Sequence, residues 1–344
     1  IGVAAFSIPA SMLMARFGRK LGFIAGAAIG TFAALGAAAS VNAGSFWAFT
    51  ACALFVGAHV SFAQQYRFAV TESVPARRAP FAISMVMLAG IVAAIIGPET
   101  AKRAKDLASV EYVGSFLGLA VLLACGAAVL LLYRNSDADE AGEGGAQRPL
   151  GEIVRLPAFA LALGASAAGY GIMSFVMTAT PVSMHVEQAM SLEETTFVIQ
   201  SHIAAMYLPS LASGFLTERL GAIRIIWSGL GLMFCCVVIG MIDQSLMHYW
   251  VSLVLLGVGW NFLFLGGTTL LTTTYRSSER FKVQATNDFS IFSLQAVGAL
   301  SSGAVMHALG WDAVMWLSLP WLVLLLPVLF WYRLGAPAGK QAAG

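Results

Sequence analysis

The chain of 344 residues is 59% hydrophobic and only 10% charged, against roughly 25% charged in an ordinary soluble domain. A soluble protein of this length cannot hide so much apolar surface from water, so the composition excludes a soluble globular fold and predicts an all-α polytopic membrane protein. The formal net charge of +2 comes from cations scattered between apolar runs, which offers no basic face to nucleic acid, and none is expected as a partner.

In chain order the apolar runs fall at 1–15, 21–41, 46–70, 80–98, 111–133, 157–180, 196–216, 223–242, 248–273, 285–307 and 312–333. All but the first come close to the ~20 residues a helix needs to cross the hydrocarbon core. Cys52, Cys125, Cys235 and Cys236 lie inside these runs, as small packing residues rather than a disulfide framework. No metal-ligand spacing, nucleophile motif or phosphate loop occurs in the sequence, so no metal and no cofactor is expected.

The cations sort by side. Arg16, Arg19 and Lys20, then Arg67, Arg77 and Arg78, and so on through Arg276, Arg280 and Lys282 fall in loops on one side, while Lys102, Arg103 and Lys105 stand alone on the other. The richer side is predicted to be cytoplasmic. On that side Asn135–Ala146 is acidic, glycine-rich and without apolar periodicity. It reads as a flexible linker, placed at 135–155. The tail 336–344 is expected to be disordered.

Two tight turns repeat one another. Ser11-Met12-Leu13-Met14-Ala15-Arg16-Phe17-Gly18-Arg19-Lys20 leaves one apolar run and enters the next at Leu21, and Gly214-Phe215-Leu216-Thr217-Glu218-Arg219-Leu220-Gly221-Ala222-Ile223-Arg224 does the same in the second half. Each places a glycine where the backbone must bend sharply, with cations beside it. The pair resembles the Gly-x-x-x-Asp-Arg-x-Gly-Arg-Lys loop between the second and third helices of major facilitator superfamily transporters. Arg16, Gly18, Arg19 and Lys20 match that pattern, while Ser11 and Ala15 replace its first glycine and its acid; the second copy keeps Gly214, Glu218, Arg219 and Gly221. The second copy also lies one helix further from the start of its half, at Pro157, than the first copy lies from Ile1. One more helix is therefore expected upstream of Ile1, and the runs are counted as the second to the twelfth span.

Polar side chains inside these runs are expensive, so each one needs a reason. The fourth span carries Gln64, Gln65 and Arg67, with Gln64 and Arg67 sharing a face; either they serve a solute or Arg67 snorkels to the headgroups. The seventh places Tyr170, Ser174, Met177 and Pro181 on one face. In the eighth, Gln200 and Tyr207 align, and His202 is either a hydrogen-bonded structural residue or a proton carrier. Asn261 sits in mid-span in the tenth, as solute ligand or interhelical glue. The eleventh opens on Asn287 and Asp288 and repeats a polar group at Gln295; Asp288 is either the helix N-cap or a titrating acid. The fifth ends Gly97-Pro98-Glu99, partly similar to the superfamily's antiporter motif, and Ala53 stands where its fourth-helix arginine is expected.

The resemblance implies two pseudo-symmetric six-helix bundles, here 1–134 and 156–335, around a central cavity, with eleven spans present. It implies a secondary transporter moving a small organic solute by alternating access, coupled to protons, for either drug-like efflux or uptake of a nutrient or vitamin. Candidate solute ligands are Gln64, Gln65, Arg67, Tyr170, Gln200, Tyr207, Asn261 and Gln295, and candidate proton carriers are Asp288, Glu99 and His202. Arg16, Gly18, Arg19, Lys20, Gly214, Glu218, Arg219 and Gly221 would form the conformational gate. The expected partners are a solute, protons and the lipid bilayer, in a monomer in a bacterial cytoplasmic membrane. The rival from another class is a non-transporting sensor or scaffold on the same fold, which needs no polar cavity.

Overall fold

The computed structural model describes residues 1–135 and 146–335. Most of the acidic linker stretch and the tail 336–344 lie outside the described residues. Among the described residues the chain is helical and contains no strand, as hydrocarbon demands, because a helix satisfies its backbone groups within its own segment. The helices are α1 (Gly2–Asn42), α2 (Phe46–Ala63), α3 (Tyr66–Glu72), α4 (Ala79–Ala104), α5 (Val113–Leu130), α6 (Leu150–Val154), α7 (Pro157–Pro181), α8 (Leu192–Tyr207), α9 (Ser210–Leu220), α10 (Ala222–Ile242), α11 (Leu246–Leu271) and α12 (Arg280–Gly335).

Eight helical stretches among the described residues are long and apolar enough to cross a membrane. The chain is a multi-pass integral membrane protein. Two stretches far exceed one crossing, and each breaks at a glycine: α1 at Gly18, with φ 81° and ψ 161°, and α12 at Gly310, with φ 77° and ψ −177°. Between α9 and α10 the chain turns at Gly221, with φ 84° and ψ 152°. Gly18 and Gly221 thus share one backbone conformation that is essentially closed to any residue with a Cβ. The repeated turn in the sequence is a repeated turn in space.

Two expectations about boundaries change. The run 196–216 starts earlier, at Leu192, where Ser191 and Glu194 form a capping box that satisfies orphan amides at the helix start. It is then divided at Leu208–Pro209 into α8 and α9, because Pro209 has no N–H to continue the ladder. The run expected to begin at 285 instead begins at Arg280. Asn287 and Asp288 therefore sit two turns inside a helix, and Asp288 caps nothing.

Among the described residues the contacts define two compact units. The first holds Ile1–Ser73, Val92–Arg148 and Arg276–Phe289; the second holds Val74–Ile91, Pro149–Tyr275 and Ser290–Gly344. In the first, Met14, Phe23, Phe62 and Ala69 form a core against which Tyr66, Tyr133 and Phe281 pack. In the second, α11 is largely buried, with Leu253, Leu256, Trp260, Leu263 and Phe264 all inside.

Candidate functional site

The first unit gathers the chain's buried charges. After the break at Gly18, Arg19 turns inward and is fully buried. Its guanidinium grips Glu72 with two parallel bonds, Nε to Oε2 at 2.7 Å and Nη2 to Oε1 at 2.5 Å, and Nη2 also reaches Gln284 Oε1 at 2.9 Å. Such a fork-on-carboxylate pair fixes direction as well as charge. Arg280 lies 3.9 Å from the same Glu72, and both arginines stack on the Phe281 ring. At the bend, Asn135 Oδ1 accepts the Lys20 amide at 2.9 Å. Arg16, by contrast, is exposed and lies over Phe17.

One turn beyond Gln284 on α12, Asp288 is buried to 1% exposure and pairs with Arg67, itself 3% exposed. The carboxylate also accepts Gln65 Nε2 at 2.9 Å and Asn287 Nδ2 at 3.0 Å, while Arg67 Nη1 donates to Gln64 Oε1 at 2.7 Å. Arg67 therefore does not snorkel. A guanidinium and a carboxylate hold each other inside the protein, the condition under which buried charge is tolerable. Gln65 Oε1 and Asn287 Oδ1, buried beside the pair, accept no hydrogen bond. Gln64, Gln65, Arg67 and Asp288 were nominated from the sequence, and the fold brings them together. Glu72, Gln284 and Asn287 were not, although Gln284 precedes Asp288 by four residues and so shares its helical face.

The second unit gathers aromatic rings. Tyr170 of α7 meets Trp260, Phe264 and Phe292 edge-on, with centroids 5.2, 4.9 and 5.4 Å apart. Trp260 and Phe264, one turn apart on α11, lie nearly parallel, and Tyr207 approaches Trp260 edge-on at 5.8 Å. Edge-to-face packing suits the charge distribution of aromatic rings. Next to Trp260, Asn261 donates Nδ2 to Met206 O and to Ser210 Oγ, both at 2.8 Å. Buried His202 bonds through Nδ1 to Leu253 O at 2.8 Å. A carbonyl only accepts, so that nitrogen carries the hydrogen. Gln200 is exposed and Gln295 is half-buried. Trp260, Phe264 and Phe292 are not among the sequence candidates, because an aromatic residue in an apolar run looks like ordinary packing there.

The second copy of the turn has its own partners in the second unit. Glu218 lies 3.4 Å from Arg78, and Gly214 lets α9 approach so closely that a Cβ there would meet the Ser84 side chain and lie 2.9 Å from the Phe81 Cα. Arg219 is exposed over Phe215. Glu99 is exposed and holds Arg103 one turn away at 2.5 Å. Beyond it, the Asp106 and Glu111 carboxylates hold the Lys105 ammonium above its ordinary range.

The sequence model of the Major Facilitator Superfamily matches residues 1–280. A riboflavin transporter of Brucella anthropi is 37% identical over 331 residues, which are 95% of this chain and 82% of that protein. An uncharacterised transporter of the same superfamily type from Bacillus subtilis is 29% identical, over 97% of this chain and 81% of its own length. Among solved structures, the superfamily transporter FucP in its outward conformation superimposes with a TM-score of 0.74 at 14% identity, covering 97% of this chain and 87% of FucP. The human organic anion transporter MFSD10 does so with a TM-score of 0.72 at 13% identity, covering 95% and 82%. The chain belongs to the Major Facilitator Superfamily of membrane transporters.

Proposed function

We propose that this transporter takes up riboflavin, or a solute with the same flat heteroaromatic ring and polar side chain, by alternating access. It performs no covalent chemistry. The observation that carries this reading is the aromatic cluster of Tyr170, Tyr207, Trp260, Phe264 and Phe292 in the second unit. Tyr170 is 8% exposed and Trp260, Phe264 and Phe292 are 2–3% exposed, so the rings cover one another here, and a planar ring would bind by taking the place of such a contact, each aromatic pair contributing about 0.5–1.5 kcal/mol beyond area burial. The Brucella anthropi relative, alike over 95% of this chain, supports the same solute. Its bacterial source supports a place in a bacterial cytoplasmic membrane.

Uptake against a gradient needs a driving ion, and Asp288 is our candidate for taking its proton. Protonating that carboxylate removes the charge that holds Arg67, Gln65 and Asn287 around it. The polar cluster would then have two arrangements, one per protonation state, which is what coupling requires. The bundles 1–134 and 156–335, the linker 135–155 between them and a monomeric working unit complete the proposal.

The test is growth and uptake. In a bacterium that neither makes nor imports riboflavin, the full-length protein should restore growth on micromolar riboflavin and accumulate labelled riboflavin. Trp260→Ala should weaken half-saturation by about tenfold or more, equivalent to ~1.4 kcal/mol. Asp288→Asn should abolish dependence on an imposed pH gradient while exchange of solute down its own gradient survives. No growth and no uptake by a membrane-inserted parent would refute the solute, and undiminished pH dependence in Asp288→Asn would refute the proton site.

A further inference from the structure

The discontinuity between α8 and α9 is a built feature. Pro209 offers no N–H, so the helical ladder cannot run through it, and the bonds restart with Leu211 N to Leu208 O and Ser213 N to Pro209 O. Met206 O, in the last turn of α8, instead accepts the side-chain amide of Asn261 at 2.8 Å, and the same amide nitrogen reaches Ser210 Oγ, the first residue of α9. One side chain therefore bridges both sides of the break. The orientation of the amide is forced, because a carbonyl oxygen only accepts and the group facing it must be the NH2.

Asn261 is the end of a register rather than an isolated contact. His202 Nδ1 bonds Leu253 O, a Cβ at Gly257 would lie 2.8 Å from His202 O, and Asn261 follows one turn on against Met206 and Ser210. Residues 202, 206 and 210 thus face residues 253, 257 and 261. The chain neighbours of the last contact are Tyr207 and Trp260, whose rings meet edge-on at 5.8 Å. Behind Tyr207 stands Gly90 of α4. A Cβ there would lie 2.5 Å from Tyr207 Cδ1 and 2.7 Å from Cζ, inside the ring's own volume. Tyr207 is held in a slot with Trp260 on one side and bare backbone on the other.

We propose that Asn261 is a positioning residue for solute affinity: by bridging the break in the helix it sets Tyr207 against Trp260, and Gly90 supplies the room that ring needs. Asn261 touches no solute in this scheme, and its effect is delivered through Tyr207. Transporters build solute sites at interrupted helices, and a break stapled by one amide gives such a site a defined geometry. The inference rests on the reading of the aromatic cluster as the solute site.

The experiment compares the parent with Asn261→Asp, Asn261→Gln and Gly90→Ala in the full chain, using riboflavin as the probe. Asn261→Asp keeps size and shape but sets an acceptor against Met206 O. It should raise KM for uptake about tenfold, with Vmax per membrane-inserted protein within about twofold, the split expected when ground-state and transition-state binding are lost together. Asn261→Gln keeps an amide donor and should recover part of the affinity. Gly90→Ala leaves Asn261 intact, reaches the same ring from behind, and should raise KM as well. In parallel, hydrogen exchange of the amides at 204–213 should speed up in Asn261→Asp. An unchanged KM in both Asn261→Asp and Gly90→Ala overturns the proposal, as does unchanged exchange. If the parent carries no riboflavin, the flavin reading falls on its own. The exchange comparison then decides, faster exchange upholding the staple and unchanged exchange removing it.

Discussion

The buried pair of Arg67 and Asp288 makes a quantitative demand. Their side chains are 3% and 1% exposed, so neither has water to fall back on. Arg67→Met leaves Asp288 with only the Gln65 and Asn287 amides, so its carboxyl either stays a lone buried charge or takes up a proton, and Asp288→Asn leaves a guanidinium buried opposite a neutral amide. Removing one member of a buried pair costs about 3–5 kcal/mol, because the remaining charge is uncompensated. Replacing both by neutral groups removes the desolvation cost together with the attraction, and such swaps are often neutral or stabilise by about 1–4 kcal/mol. The double variant Arg67→Met/Asp288→Asn should therefore be more stable than either single variant. The coupling should reach several kcal/mol, above the roughly 0.5–3 kcal/mol usual for residues in contact. Denaturation of the purified full-length protein in detergent, followed by circular dichroism, measures all four corners of the cycle. The exposed pair of Glu99 and Arg103, with side chains 50% and 79% exposed, serves as control and should show about 0.3–0.5 kcal/mol. A double variant as unstable as the sum of the singles would refute the argument, since it would mean that the two charges are solvated independently.

Three further outcomes follow from the same geometry. Gly18→Ala and Gly221→Ala should each cost about 1–3 kcal/mol from backbone strain, since both glycines hold positive φ, 81° and 84°; equal stability to the parent in the same denaturation assay would show that the turns relax. Arg148→Ala should destabilise by about 1–3 kcal/mol, since Glu279 is buried and receives Arg148 Nε at 2.9 Å and Nη2 at 2.6 Å while Arg148 itself is 27% exposed; Arg148→Lys should restore only part, because an ammonium cannot reproduce the fork. Reporter fusions after Arg148 and Arg276 should read cytoplasmic and one near Glu187 external, and a cytoplasmic signal at Glu187 would reverse the orientation.

What the sequence made legible was whatever depends on short-range pattern. Apolar runs gave the helices, and a repeated glycine between cations gave the turns at Gly18 and Gly221, now seen in matching conformations. Gln64 and Arg67, three residues apart, were expected on one face and are hydrogen-bonded at 2.7 Å. What stayed hidden depends on which helix meets which. An N-cap stayed open beside a titrating acid for Asp288 because the polar residues from Arg276 onward look like loop, whereas the helix starts at Arg280 and pays for its polar face with partners from other helices. Asn261 left solute ligand and interhelical glue open, because only the fold reveals a broken helix opposite it.

The same partner logic accounts for a grouping that chain order does not suggest. Among the described residues, every buried charged side chain, namely Arg19, Arg67, Glu279, Arg280 and Asp288, belongs to the first unit. The last three lie on Arg276–Phe289, far along the chain from the rest of that unit. Their partners are Arg148, Glu72 and Arg67, and Gln284 between them binds Arg19. Apolar side chains are indifferent to which apolar neighbour they meet inside a membrane, so burial alone does not assign such a segment. A buried charge is not indifferent, because it is tolerable only beside its counter-charge. On this segment the acids Glu279 and Asp288 need cations, and Arg148 and Arg67 supply them. In the second unit, among the described residues, the buried polar side chains are Asn261, His202 and a set of serines and threonines, none of them an acid, a lysine or an arginine. The proton-linked step proposed above would thus draw its charged components from the first unit, and the flat solute proposed above would meet the neutral, aromatic interior of the second.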